Sequence, residues 1–99
     1  MTNCKIFSSE LSVCFKALGN EKRQQIILEV FSDCSEHNIN EVAKRVNIAQ
    51  STASEHLALL KRAGILTSRK VEKEVFHKLN RKGIIAFLDN IRATLACCE

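Results

Sequence analysis

The chain has no proline, no tryptophan and no tyrosine, and only three glycines and one methionine in 99 residues. So little proline and glycine excludes collagen-like, linker and low-complexity architectures. No apolar run approaches the roughly 18 residues that a bilayer-spanning helix needs, so no membrane partner is expected. The opening Met1-Thr2-Asn3-Cys4-Lys5 lacks the apolar stretch of a secretory signal, and a cytoplasmic location is expected. Five cysteines, an odd number, cannot all pair within one chain. In a reducing compartment they are thiols, metal ligands or redox sensors rather than a disulfide framework. The length fits one domain, residues 1–99, and a 45% apolar share suffices for one small core, which excludes a multidomain enzyme.

The net charge of +4 is modest, but it is unevenly placed. Residues 40–82 hold ten basic side chains against four acidic ones, a local +6, while the remainder carries five against seven, a local −2. A basic middle-to-late segment suits a polyanion such as nucleic acid; on charge alone a solvated surface explains it equally well.

Helical periodicity dominates the chain. Phe7, Leu11, Cys14 and Leu18 form an apolar stripe on a first helix, about 8–18, capped near Ser8 or Ser9 and ended by Gly19. Asn20 is placed to cap a second helix, with Ile26, Ile27, Val30 and Phe31 on its core face, running to about Cys34. Residues 35–38 read as a polar connection. A short helix from about Asn40 to Val46 turns inward Val42, Ala43 and Val46. After a turn at 47–50, Ser51 is expected to cap a helix to Ala63 that buries Ala53, Leu57 and Leu60, with Gly64 at a left-handed C-cap. Two helices joined so tightly, about 40–63, form a helix-turn-helix. The period then changes to alternation: 65–70 and 75–79 read as two strands about a charged tip, Val71-Glu72-Lys73-Glu74, a wing over about 65–79. The last helix, about 81–98, repeats Ile84, Leu88, Ile91, Leu95 and Cys98 at seven-residue spacing. The fold class expected is mostly α with a small β-hairpin, a winged helix-turn-helix. The seams of its first and last helices close the monomer core or pair with a second copy, and in a domain this small a homodimer through 8–18 and 81–98 is the expectation.

Several stretches carry a family likeness: Lys16-Ala17-Leu18-Gly19-Asn20-Glu21-Lys22-Arg23, Gln50-Ser51-Thr52-Ala53-Ser54-Glu55-His56-Leu57 and Leu60-Lys61-Arg62-Ala63-Gly64-Ile65-Leu66. In order and spacing they resemble the ArsR/SmtB family of bacterial winged-helix repressors, over nearly the whole chain. Arg69-Lys70 followed by Val75-Phe76 is most similar to the HlyU/BigR branch. The resemblance implies a homodimer that represses transcription on an imperfect palindrome of double-stranded DNA, needs no cofactor to bind it, and releases it on sensing a metal, metalloid or reactive sulfur species. The motif's second helix then enters a major groove with Gln50, Ser51, Thr52, Ser54 and Glu55 at base edges. Gln50 pairs with adenine; Ser51 also serves as a cap; Glu55 either accepts from cytosine or stays solvated. His56 either touches phosphate or packs. Arg69, Lys70 and Lys73 on the wing meet phosphates or the minor groove.

Two of the family's sensing sites are missing here. The first helix of the motif reads Asn38-Ile39-Asn40-Glu41-Val42-Ala43, without the family's cysteine box, and the last helix offers Asp89 and Glu99 but no histidine for a zinc site. Cys97-Cys98 instead form a vicinal pair suited to a soft ion. Trivalent arsenic or antimony takes three thiolates, the third expected from Cys4 or Cys14, although Cys14 on its apolar stripe also reads as a small buried hydrophobe. Cys34 reads as structural or exposed, and His37 and His77 as isolated. The alternative is a redox or persulfide switch, for which the family's second-helix cysteine is replaced by Leu28, so that Cys34 would have to serve. Cys97 and Cys98 at a helix C-terminus beside Glu99 are expected to hold their protons more tightly than free thiols, which favours a metalloid that displaces the proton itself. No nucleophile–base or carboxylate spacing points to an enzyme, and an interaction module alone leaves the basic segment unexplained.

Overall fold

Asn20 starts the second helix because its side chain replaces a missing backbone partner: Oδ1 accepts the N–H of Arg23 at 3.0 Å. The computed structural model describes residues 9–96, with α1 at Ser9–Leu18, α2 at Glu21–Gln25, α3 at Ile39–Arg45, α4 at Gln50–Arg62 and α5 at Arg81–Ala96. Three strands, β1 (His37–Asn38), β2 (Leu66–Val71) and β3 (Glu74–Leu79), form an antiparallel sheet in the order β1-β3-β2. Cys4, Phe7, Ser8, Cys97 and Cys98 lie outside the described residues.

Beyond Gln25 the second helix widens into a π-helical turn, Ile26–Val30, and tightens into a 3₁₀ turn, Phe31–Asp33. The wider turn lets Ile26, Val30 and Phe31 all reach the core. Leu28 is left 70% exposed. Cys34 closes the segment in the left-handed conformation at φ 62°.

Residues 35–38 are more than a connection. His37 and Asn38 pair with His77 and Phe76 of β3, and Asn38 then caps α3 through a reciprocal pair of bonds with Glu41, at 2.9 and 3.1 Å. The helix therefore starts at Ile39, one residue before the expected start. The expected cap on α4 also moves. Asn47 turns the chain in a left-handed conformation, Ala49 occupies the cap position without a side-chain bond, and Ser51 is an exposed second residue of the helix. Gly64, at φ 81°, ends α4 as expected, its N–H donating to Lys61 and that of Ile65 to Leu60, both at 3.0 Å. The strands reach one residue further into the tip than the alternation suggests, leaving Glu72 and Lys73 as the turn, with Glu72 at φ 57°.

One core gathers α1, the π-helical and 3₁₀ turns that follow α2, α3, α4 and β2 around Ala17, Ile26, Val30, Phe31, Val42, Val46, Ala53, Leu57, Leu60 and Leu66, all buried. Helix α5 joins it through Ile84, which packs on the core's edge, while its buried Phe87 meets the Phe15 ring of α1. Asn80 anchors its start, accepting the Gly83 N–H and donating to the Gly64 carbonyl at 2.8 Å. Of the seam read from the sequence, Ile84 and Ile91 are half-buried, whereas Leu88 and Leu95 stay exposed. Among the described residues no helix is long and apolar enough to cross a membrane.

Candidate nucleic-acid interface

A 3.6-residue period places Ala53, Leu57 and Leu60 of α4 in the core and leaves Gln50, Ser51, Thr52, Ser54 and Glu55 exposed at its N-terminal end. The helix is 13 residues long, so its leading turn offers unpaired N–H groups and a positive dipole end. Gln50 is held by its neighbour in the motif, Nε2 donating to Oδ1 of Asn40. An open crevice of about 230 Å³ between the start of α3, Gln50 and the wing tip is lined by Asn40, Gln50, Lys73 and Glu74. The motif's second helix and the wing tip thus border one surface.

On the wing, Lys70 and Lys73 are exposed. Arg69 is also exposed but is engaged: its Nε and Nη2 meet the two carboxylate oxygens of Glu36 at 2.5 and 2.9 Å. This bidentate pair lowers the Glu36 carboxyl below its ordinary range and raises the Arg69 guanidinium further.

His56 packs rather than pointing freely outward. It is half-buried, and Nδ1 lies 3.1 Å from Nη1 of Arg23. Burial first, and the Arg23 and Lys22 charges next, hold its pKa below the ordinary imidazole value; Glu55 acts in the opposite direction. The basic start of α2 also serves other helix ends, Lys22 Nζ donating to the Val46 carbonyl at the end of α3 at 3.1 Å.

The two other histidines are not isolated from each other: His37 and His77 face across β1 and β3, both buried. His37 Nε2 lies 2.9 Å from Asp33 Oδ2, and Glu41 Oε2 stands 3.5 Å from Nδ1, too far for a good hydrogen bond. Of the cysteines, Cys34 is exposed and Cys14 half-buried, its thiol donating to the Ala63 carbonyl at 3.1 Å. A cleft of about 390 Å³ between α1, the end of α4 and α5 is lined by Leu11, Cys14, Arg62, Asn80, Phe87 and Asn90. Among the described residues no three histidine, cysteine or acidic side chains are grouped to hold a metal ion.

The model of the bacterial regulatory proteins of the arsR family matches residues 20–68. The transcriptional activator HlyU of Vibrio cholerae is 33% identical over 82 residues, 83% of this chain and 74% of the relative. The chain belongs to the ArsR family. The solved structure of reduced HlyU from V. cholerae superposes with a TM-score of 0.61 at 30% identity, covering 78% of this chain and 84% of that one. A biofilm growth-associated repressor of Xylella fastidiosa is 25% identical over 92 residues, 93% of this chain and 78% of that relative. The solution structure of a homodimeric winged helix-turn-helix DNA-binding domain of Mycobacterium bovis shares the fold, with a TM-score of 0.70 at 23% identity over 86% of this chain and 79% of that one. This ArsR-family chain is a DNA-binding transcription regulator and not an enzyme.

Sequence reasoning missed Glu36, Asn40 and Arg23. Each acts on a partner 10 or more residues away, 33 in two cases. Only the word around Arg23, shared with the family, hinted that this position matters.

Proposed function

We propose that the chain is a homodimeric cytoplasmic repressor that reads an imperfect palindrome with the N-terminal turns of α4 and holds the flanking phosphates with Arg69, Lys70 and Lys73. The observation that carries this reading is the exposed set Gln50, Ser51, Thr52, Ser54 and Glu55 on a helix whose opposite face is fixed in the core. Ser51, Thr52 and Ser54 supply hydroxyls for bases or phosphates; Gln50 keeps its carbonyl for a base edge while its amide is bonded to Asn40. Repression accords with the name of the X. fastidiosa relative, and a dimer with that of the M. bovis domain.

Release is assigned to trivalent arsenic or antimony held by the vicinal Cys97 and Cys98, with Cys14 or Cys4 as third thiolate. In support, Cys14 sits on α1 beside the cleft that α5 borders, with a protonated thiol that a soft ion would displace from the Ala63 carbonyl. A redox or persulfide switch is the second reading, and it accords with the description of the similar V. cholerae structure as reduced HlyU. Leu28 at the second-helix position, exposed and without a thiol, weighs against it. The deciding experiment starts from a duplex that the protein selects from a randomised library and titrates the complex with arsenite, antimonite and an organic persulfide. Arsenite is expected to release the DNA from the wild type and not from Cys97→Ser/Cys98→Ser, which keeps size but removes the soft ligands. Release of the double variant by arsenite would overturn the site; release of the wild type by persulfide alone would establish the switch.

A further inference from the structure

Arg23 is the third residue of α2, and its side chain reaches two other helices at once. Nε donates to the Ala17 carbonyl at 2.6 Å and Nη2 to the Lys16 carbonyl at 3.2 Å, both in the last turn of α1, where carbonyls lack helical partners. Nη1 meets Nδ1 of His56 on α4 at 3.1 Å. A guanidinium has five donors and no acceptor, so Nδ1 of His56 must hold the lone pair, and the imidazole is neutral with its proton on Nε2. We propose that Arg23 is a positioning residue for DNA recognition, a strut that fixes the rotation of α4 against the end of α1 through His56.

The location makes this consequential. His56 follows Glu55 directly and Ser54 by two residues, so holding it sets where the reading side chains point. The buried stripe that otherwise fixes α4 has only an alanine, Ala53, at its N-terminal end. With side chains at about 5–6 Å from the axis, a roll of about 10° moves a tip by about 1 Å, enough to spoil a base-edge hydrogen bond. The same guanidinium ends on α1, the helix that leaves Val13 and Phe15 exposed, so a shift there is passed to α4. Lysine, a single point charge, cannot bond all three acceptors in one plane.

The charged groups facing His56 are Arg23 and Lys22 from α2 and Glu55 from α4 itself. Protonating Nδ1 removes the acceptor and sets a cation against Arg23, which undoes the strut. The inference rests on the DNA reading of α4, and the test separates the two. Anisotropy is measured on the duplex selected by the wild type, across a salt series, at about pH 7.5 and 5.5, on either side of the ordinary imidazole value. Arg23→Lys and His56→Leu are expected to weaken binding about tenfold, the loss of a base-edge contact, with the slope of log affinity against log salt unchanged. His56→Asn places Oδ1 where Nδ1 stood; it is expected to bind within about threefold of the wild type at the higher pH and to lose less on acidification, since its acceptor cannot titrate. His77 titrates alike in every variant. Wild-type affinity for Arg23→Lys, a slope reduced by about 0.9 that would put Arg23 on a phosphate, or an undiminished acid loss in His56→Asn would each overturn the strut. A wild-type chain that enriches no duplex overturns the DNA reading and the strut with it.

Discussion

Gly83 stands near the start of α5, where helix propensity favours alanine by about 1 kcal/mol. The structure reverses that preference. A Cβ at Gly83 would meet the Asn80 amide and lie 2.6 Å from the Gly64 carbonyl, which is backbone at the turn that ends α4. Gly83→Ala is therefore expected to destabilise the fold by about 1–3 kcal/mol, the range for overpacking, and a thermal melt unchanged or raised would refute the contact. His77 acts by a different route. It is buried on β3, its Nδ1 has no hydrogen-bond partner among the described residues, and burial together with the Lys61 charge holds its pKa below the ordinary value. The folded state then binds fewer protons than the unfolded chain, so the stability that neutral His77 supplies is complete above about pH 6.5 and is lost as pH falls from there through its lower folded value. His56 shifts in the same direction. The melting temperature should fall between about pH 7.5 and 5.5, and His77→Phe, which keeps a ring but cannot titrate, should flatten that fall. An identical decline in the variant would show that His77 is not responsible.

At the scale of elements, the helix-turn-helix was legible because its signals are local: an apolar 3.6-residue period over Ala53, Leu57 and Leu60, and one glycine where a left-handed cap ends the helix. Two-residue β1 carries no period at all, and its pairing with β3 spans about 40 residues, so nothing near His37 announces it. The cap on α4 was misread because a serine at the right distance is a propensity, whereas the Asn47 turn places Ala49 at the helix start whatever side chain follows. The candidate interface was legible as residue types but not as partners: Arg69 reads as a contact to phosphate or the minor groove, and nothing in the sequence announces that Glu36 clasps it. An exposed ion pair of this kind is screened by water and weak, so DNA can compete for the guanidinium. Glu36→Gln is expected to strengthen DNA binding by up to about fivefold, because the pair no longer opposes the phosphate contact. Arg69→Ala is expected to weaken it and lower the salt slope by about 0.9, with the preferred sequence kept. Unaltered affinity in both variants would remove Arg69 from the DNA face.

The whole molecule leaves apolar surface that one protomer does not use. On α5, Ile85, Leu88 and Leu95 are 52%, 54% and 65% exposed, and on α1 Phe15 is 53% exposed while its ring meets Phe87 edge-on at 5.1 Å. The two helices therefore share one flank, joined by an aromatic contact, with large side chains still facing out. Single exposed apolar residues need no explanation, but a cluster on adjoining helices marks a surface that something covers. A second copy fits the proposed function, because two reading helices must present themselves about 34 Å apart to successive turns of a palindrome. The heptad pattern alone pointed to Ile91 as a seam residue, yet Ile91 is half-buried within the protomer, and a charge there would confuse folding with assembly. Leu88 and Leu95 separate the two, since neither is buried in the protomer. Leu88→Glu/Leu95→Glu should keep the helical signal and yield monomers by light scattering, as unpaired carboxylates cannot be buried in an apolar interface. The melting temperature of the wild type should rise with protein concentration, and that of the variant should not. DNA affinity should drop steeply, because each half-site is then bound alone. A dimer of unchanged mass in the double variant would place the subunit contact elsewhere on the molecule.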